Sequence, residues 1–295
     1  MKLRKRRKIK FATVCLHASF WLLLVVCIYP IMLIAINSLT PEAHLVEKGY
    51  VFTPVGFSLK AFEFLFKNWQ KLLLALRGTL INAIGGTALS CIVCALLAYT
   101  MTREKFVLRN VIKYMLLVTM FFSAGTIPNY IVRVQFYGLD DSWLIYLLPT
   151  AVVASQVFFY RTFFMGIPRE LYESARIDGA SEMKIFTQIA VPLSLPIIVT
   201  QFFLGMVGRW KDYTTTLLYI TDESKITLEF YAQRVMQDAA ALTEEASKLG
   251  LDSTKFPVTA MQFAVVFLTL VPLILLFPLL QKYFEKGAMV GSVKG

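Results

Sequence analysis

Six long segments of this chain contain no Asp, Glu, Lys or Arg, and they constrain the fold more than any other feature. Each is at least 19 residues long: 11–41, 78–102, 114–132, 142–160, 185–208 and 256–281. A helix rises 1.5 Å per residue, so about 20 apolar residues cross a bilayer core of roughly 30 Å. The sequence therefore predicts an all-α integral membrane protein with six transmembrane helices.

The composition supports this prediction, since 57% of the 295 residues are hydrophobic and the mean hydropathy is +0.62. That is too apolar for a soluble domain of this size. The first apolar segment is too long for a cleavable signal peptide. No small-residue cleavage site follows Tyr29-Pro30 either.

The net charge of +11 lies on one side of the predicted membrane, which argues against nucleic acid as a partner. With the N-terminus inside, the inside segments hold 18 Lys/Arg and 6 Asp/Glu, and the outside segments hold 12 and 13. The positive-inside rule then predicts an N-in, C-in orientation. We expect a basic cytoplasmic leader at 1–10 that contacts anionic membrane lipid, a six-span domain at 11–281 and a cytoplasmic tail at 282–295.

Between the spans, the sequence predicts external segments at 38–77 and 212–257 and a cytoplasmic loop at 165–194. Two external helices are expected, an amphipathic one at Leu59–Leu76 and an exposed one at Leu228–Leu249. Small residues in the second span favour close helix packing. Gly125 and Pro128 are expected to interrupt the third span, and the fourth is expected at Trp143–Phe164.

Candidates for catalysis or metal binding are scarce. The four cysteines all fall in predicted spans, and Cys91-x-x-Cys94 has no second Cys pair or His cluster beside it. Packing as small apolar residues is the favoured interpretation of these cysteines. No metal site is predicted.

The stretch from Ile167 to Pro196 is polar and punctuated. Pro168 suits a first helical position, and the helix is expected to run through Ile177. Local ion pairs are expected between Arg169 and Glu173 and between Glu173 and Arg176. Gly179 is placed to end the helix at a left-handed C′ position. A second helix is expected to start near Ser181 and stop before Pro192.

The spacing in this stretch resembles the EAA loop of permease subunits of binding-protein-dependent ABC importers. The matching residues are Glu173-Ser174-Ala175, Gly179, Ile189 and Val191-Pro192, with Ser174 and Val191 departing from the usual Ala and Leu. The resemblance implies a coupling helix that docks in a cleft of an ATPase subunit. The implied coupling residues are Glu170, Glu173, Ser174, Ala175, Asp178 and Gly179. The alternative is an ordinary amphipathic cytoplasmic loop.

Other stretches resemble the carbohydrate class of these permeases. They are the tail K-Y-F-E-K-G-A-M-V-G-S-V-K-G, the stretch F-F-S-A-G-T-I-P-N-Y, and Arg209-Trp210-Lys211-Asp212-Tyr213. The resemblance implies the type I importer permease fold in a bacterial cell membrane and a carbohydrate substrate. The implied partners are a second six-span permease, two ATPase subunits and an extracytoplasmic solute-binding protein. A heterodimer is the expected pairing, and a homodimer stays open.

A sugar passage offers aromatic planes and neutral polar groups, with few charges to hold the solute. The candidate pathway residues are Asn129, Tyr130, Gln156, Tyr160, Trp210 and Tyr213. The competing interpretation is that Trp and Tyr gather at membrane interfaces whatever the function.

The chain lacks G-x-x-x-x-G-K-[ST], so ATP and Mg are expected on the partner ATPase, with no cofactor in this chain. A membrane enzyme is disfavoured because no Asp, Glu or Lys interrupts a span. The alternatives are a permease for a non-sugar solute and an ion-coupled secondary transporter.

Overall fold

A computed structural model of the chain describes residues 11–67, 69–248 and 257–292, and the regular structure in this part consists of helices without strands. The leader at 1–10 and residues 293–295 of the tail lie outside the described residues. The helices are α1 (Phe11–Ser38), α2 (Glu42–Lys48), α3 (Lys60–Phe66), α4 (Trp69–Leu80), α5 (Thr87–Thr102), α6 (Arg109–Phe121), α7 (Thr126–Ile131), α8 (Leu144–Leu147), α9 (Ala154–Met165), α10 (Arg169–Ile177), α11 (Glu182–Ile185), α12 (Val191–Leu193), α13 (Leu195–Trp210), α14 (Thr214–Tyr219), α15 (Leu228–Lys248) and α16 (Val258–Ser292). π-Helical segments occupy Ile81–Gly86, Val132–Phe136 and Phe186–Ala190.

Three described helical stretches are long and apolar enough to cross a membrane, namely Val14–Ser38, Trp69–Thr102 and Val258–Leu276. A fourth candidate is a bent pair, Glu182–Leu193 and Leu195–Trp210, whose axes meet at 78°. The predicted count of six spans and the N-in, C-in orientation stay predictions.

Two predicted spans are broken. The third stops at Phe121 and resumes at Thr126, and Gly125 between them has φ +85°, so the predicted interruption at Gly125 is confirmed. The fourth predicted span, Trp143–Phe164, is not one helix, because residues 148–153 are irregular between α8 and α9. Pro149 lies in that break and has no backbone N–H to donate.

The predicted external helices fare differently. The helix expected at Leu59–Leu76 is divided between α3 and α4, and α4 runs on into the second span through Thr102. The π-helical segment Ile81–Gly86 joins α4 to α5 without interruption. The helix therefore continues across residue 77, where the predicted external segment was expected to end. The helix expected from Leu228 is confirmed as α15.

The chain divides into two compact units, and the first is Met1–Asn68 with Val235–Leu270. In it, the Asn37 side chain bonds both backbone groups of Val51, donating to its carbonyl and accepting from its N–H at 2.9 Å each. The free backbone N–H groups at the N-terminus of α16 give it a partial positive charge. The buried Glu42 carboxylate accepts from two of them, the N–H groups of Thr259 and Ala260, at 2.9 Å each. The Asn37 bonds thus hold the loop at Val51 to the end of α1, and Glu42 holds α2 to the start of α16.

The second unit is Trp69–Arg234 with Val271–Gly295, and its core forms where α5 packs along α9. Small buried residues of α5, Cys94, Ala95 and Ala98, meet Val157, Tyr160 and Phe164 of α9. This confirms the expected role of small residues in the second span, because short side chains let two helices approach closely. Cys91 and Cys94 are buried, as the packing interpretation predicted, whereas Cys15 and Cys27 are exposed.

Gly86 is a point of close approach in this unit. A Cβ added there would overlap Nη1 of Arg209 and lie 2.8 Å from the Tyr146 carbonyl oxygen. At the adjacent Gly85, the nearest atom to an added Cβ is Leu147 Cδ2 at 3.5 Å, which is an ordinary contact. Gly86 therefore makes the space in which Arg209 reaches the chain at Tyr146.

We predict that Gly86→Ala destabilises the folded protein by about 1–3 kcal/mol, the usual cost of overpacking a close-packed interior. Gly85→Ala is the matched control and should lie near the wild type. The measurement is the thermal unfolding midpoint of the purified protein in detergent. Equal midpoints for the two variants would contradict the packing described here.

Candidate functional site

The predicted coupling helix exists as α10, and its C-terminus has a fully bonded cap. Gly179 has φ +75°, as predicted from its C′ position. The Ala180 N–H donates to the Ala175 carbonyl at 2.9 Å and the Gly179 N–H to the Arg176 carbonyl at 3.0 Å. This pair of bonds is the Schellman motif, which turns the chain sharply after a helix.

The turn leads into α11, whose N-cap is Ser181 as predicted, with its hydroxyl accepting from the Lys184 N–H at 3.3 Å. Pro168 is the N-cap of α10 rather than its first helical residue. The second helix does not stop before Pro192, because helical structure continues to Leu193 and breaks at Ser194. The widened π-helical turn at Phe186–Ala190 precedes this proline and already departs from the regular pattern of i−4 bonds.

We call α10, the turn at Gly179 and α11 the hairpin. One face of this hairpin is exposed and carries most of the predicted coupling residues. Glu170, Glu173, Ser174, Asp178 and Gly179 are exposed, and Ala175 is half-buried against the core. Large apolar side chains share this exposure, with Ile177 at 86% and Met183 at 60% of full accessibility. A polar surface with protruding apolar side chains suits contact with another protein.

The predicted ion pairs along α10 are wrong. Arg169 pairs with Glu104 at 3.5 Å, and Arg176 pairs with Glu182 at 2.9 Å. Within the described residues, Glu173 has no ion pair. The arginines reach across to neighbouring segments, because tertiary packing places those carboxylates closer than the one on their own helix. Glu173 thus presents an unpaired charge on the exposed face.

Glu182 connects the hairpin to α5. Its carboxylate accepts from Tyr99 Oη at 2.8 Å and from Arg176 Nε at 3.0 Å, and it lies 3.4 Å from Arg103 Nε. The Arg103 guanidinium in turn lies 3.9 Å from the Tyr99 ring centre and 4.5 Å from that of Tyr172. We call Glu182, Tyr99, Arg103, Arg176 and Tyr172 the hairpin clamp.

The clamp holds Glu182 in its charged form. Partial burial works against the charge, but the hydrogen bond from Tyr99 and the positive charges of Arg103 and Arg176 outweigh it, so the pKa of Glu182 lies below its ordinary value. A lowered carboxyl pKa contributes stability above the ordinary pKa of glutamate, and that stability is lost as the pH falls through the lowered value. The clamp is therefore intact at neutral pH.

At the N-terminal end of α9 lies a polar cavity of about 430 Å³, beside the break between α8 and α9 in the predicted fourth span. Arg209 bridges the break, since its Nη1 donates to the Tyr146 carbonyl at 2.8 Å and its Nη2 to the Thr150 carbonyl at 2.9 Å. Carbonyls freed by a break in a span must be satisfied inside the protein, and a guanidinium does this for two of them at once. The residues that line the cavity include Asn82, Ser90, Arg133, Gln156, Arg209, Lys211 and Asp212.

Of the predicted pathway residues, Gln156 lines this cavity. Its amide donates to Tyr160 Oη at 2.9 Å across the predicted i,i+4 face, while Tyr160 itself is fully buried in the core. The other four lie apart from the cavity lining: Trp210 is buried, Tyr213 stacks on Phe230, Tyr130 stacks on Tyr219, and Asn129 caps the Gly125 carbonyl. Roles for these six residues in the pathway stay predictions.

The cavity also contains residues that the sequence analysis did not select. Arg133, Arg209 and Lys211 each follow closely on a charge-free segment, two of them inside the stretch from which only Trp210 and Tyr213 were chosen. These cations were not selected because a sugar passage was expected to contain few charges, which favoured aromatic and neutral polar residues as candidates. The sequence signal that could have identified them is the position of Arg133, Arg209 and Lys211 just after the charge-free segments 114–132 and 185–208.

Comparisons with known proteins agree on one family. Residues 17–290 match the family described as binding-protein-dependent transport system inner membrane component. The chain is 33% identical to the polygalacturonan/rhamnogalacturonan transport system permease protein YtcP of Bacillus subtilis, over 92% of this chain and 93% of that protein. It is 27% identical to the arabinooligosaccharides transport system permease protein AraQ of Bacillus subtilis, over 96% of each chain.

A solved structure shares the fold. A chain in the crystal structure of a bacterial ABC transporter involved in the import of the acidic polysaccharide alginate superposes with a TM-score of 0.78 at 23% identity. The match covers 96% of this chain and 100% of that one. The all-α architecture is thus that of an ABC importer permease.

We predict that Glu182→Gln, which keeps the side-chain size and removes the charge, weakens the link between the hairpin and α5. The loss of partly exposed charged hydrogen bonds is about 1 kcal/mol, or about fivefold in an equilibrium. Solute taken up per ATP hydrolysed should fall accordingly in the reconstituted transporter. Glu104→Gln, which removes an exposed pair with Arg169, is the control. Unchanged coupling in Glu182→Gln would show that the clamp has no part in it.

Proposed function

This chain belongs to the family of binding-protein-dependent transport system inner membrane components, and we propose that it forms part of the path by which an oligosaccharide or polysaccharide fragment enters a bacterial cell. As a member of that family it is a transport component of an ABC importer, which works with an ATPase and a solute-binding protein. The proposal adds the class of solute and the residues involved.

The single observation that carries the proposal is the polar cavity beside the broken span at 148–153. Its amides, hydroxyls and charged groups supply donors and acceptors where a continuous apolar helix would supply none, and a solute rich in hydroxyls needs both. Relatives named for polygalacturonan, rhamnogalacturonan and arabinooligosaccharides support a sugar as the solute.

For coupling, we propose that the exposed face of α10 docks on the ATPase through Glu170, Glu173, Ser174, Ala175, Asp178 and Gly179. ATP and Mg are then bound by that partner and not by this chain. The hairpin clamp contacts α5 and lies at the C-terminal end of α9, and the cavity lies at the N-terminal end of α9. Movement of the docked hairpin would reach the cavity through the packed pair α5 and α9.

The proposed assembly contains a second six-span permease, most simply a related chain in a heterodimer, with two ATPase subunits and one solute-binding protein. The family match does not favour a secondary transporter or a non-sugar permease.

The test is uptake of a labelled oligosaccharide panel by proteoliposomes that contain this chain, its partner permease and the ATPase, with the solute-binding protein added. We expect uptake that requires ATP and the binding protein and that persists when proton and sodium gradients are collapsed by ionophores. Omission of this chain is the control. Uptake that survives without ATP but stops with the ionophores would contradict the proposal.

A further inference from the structure

The polar cavity carries a surplus of positive charge. Three cationic residues line it, Arg133, Arg209 and Lys211, against one carboxylate, that of Asp212. A neutral sugar needs hydrogen-bond partners and gains nothing from net charge. The charge of the cavity therefore bears on which sugars enter it.

The carboxylate of Asp212 is engaged by neutral donors. Its Oδ1 accepts from the Thr215 N–H at 3.0 Å, and its Oδ2 accepts from Asn82 Nδ2 at 3.4 Å. Within the part of the chain that the structure describes, Asp212 forms no ion pair with a cavity cation. It thus offsets part of the positive potential without occupying any cationic side chain.

The three cations differ in how far they are used. Arg209 donates one N–H from each terminal nitrogen to the carbonyls of Tyr146 and Thr150, and these two bonds fix the position of its guanidinium. Arg133 makes a long hydrogen bond of 3.4 Å from Nη1 to Tyr219 Oη and lies 5.5 Å from that ring centre. Lys211 is exposed, and among the described residues it has no ion pair. Arg133 and Lys211 keep donors for a solute.

We propose that this cavity selects acidic oligosaccharides and that Arg133 and Lys211 contact their carboxylates. The inference rests on the proposed function, since it requires that a sugar passes this cavity. A guanidinium can form two parallel, charge-assisted hydrogen bonds with the two oxygens of a carboxylate. A neutral hydroxyl has one oxygen and no charge, so it cannot form this paired contact. A partly enclosed site with low-dielectric walls strengthens the attraction and concentrates anions near it.

The experiment compares two probes of equal length, an oligogalacturonate and its fully methyl-esterified form, which has the same backbone without the charges. Each is offered to proteoliposomes that contain the complete transporter with its binding protein. We expect the wild type to take up the acid faster than the ester. Arg133→Gln should lower uptake of the acid by about tenfold, the effect of losing one charged contact, and leave uptake of the ester within about twofold.

Three further variants distinguish a direct contact between Arg133 and the solute from a purely structural role of Arg133. Arg133→Lys keeps the charge and should restore part of the uptake of the acid. Tyr219→Phe removes the hydrogen bond to Arg133 and keeps the ring, so it should leave the preference for the acid intact. Arg234→Gln removes a cation that pairs with Glu223 outside the cavity lining and should change neither rate.

The outcomes distinguish this inference from the proposed function. If Arg133→Gln lowers uptake of acid and ester equally, or if the wild type takes up both at one rate, the inference is overturned while sugar transport stands. If the wild type takes up neither probe nor any other oligosaccharide, the proposed function fails and the inference fails with it.

Discussion

The contact of Arg209 with the carbonyl oxygens of Tyr146 and Thr150 is the interaction on which the site depends. A break in a membrane-spanning helix frees backbone groups that lipid cannot satisfy, so it persists only where the protein supplies partners. Gly86 leaves the space that the guanidinium occupies, and the buried Asn82 donates to the carbonyl of Arg209 at 3.2 Å. With the break stabilised in this way, a polar cavity lies beside it, where a regular helix would have presented only side chains.

The packed helices α5 and α9 run between the cavity at one end and the hairpin clamp at the other. At the far end from the cavity, Tyr172 Oη donates to the Phe164 carbonyl at 3.2 Å, and the Glu182 carboxylate joins α11 to Tyr99 at the end of α5. Small residues of α5 let it lie close against α9, so the two behave as one body. This packing is what the proposed coupling route through α5 and α9 requires.

Local chemistry made parts of this arrangement predictable from the sequence. The cap at Gly179, the N-cap at Ser181 and the interruption at Gly125 follow from backbone preferences of the residues themselves. The hairpin clamp did not follow, because Glu182 meets Tyr99 and Arg103 across about eighty residues of sequence, and nothing local favours that pair over Glu173 with Arg169 or Arg176. The cavity was missed for a related reason. Arg209 looked like the flank of an apolar segment, and only its tertiary partners show that it bridges the break between α8 and α9.

The most direct test of the account is whether solute occupies the cavity during transport. Thr150 is exposed there and uses its carbonyl, not its side chain, to hold Arg209, so Thr150→Cys preserves the contact. In a background with the exposed Cys15 and Cys27 replaced by serine, the rate of maleimide modification is measured in nanodiscs with and without a transported oligosaccharide, the binding protein and ATP. The account predicts that solute slows modification of Thr150→Cys and leaves Val107→Cys, far from the cavity, unchanged. Equal rates at Thr150→Cys with and without transported solute would contradict it.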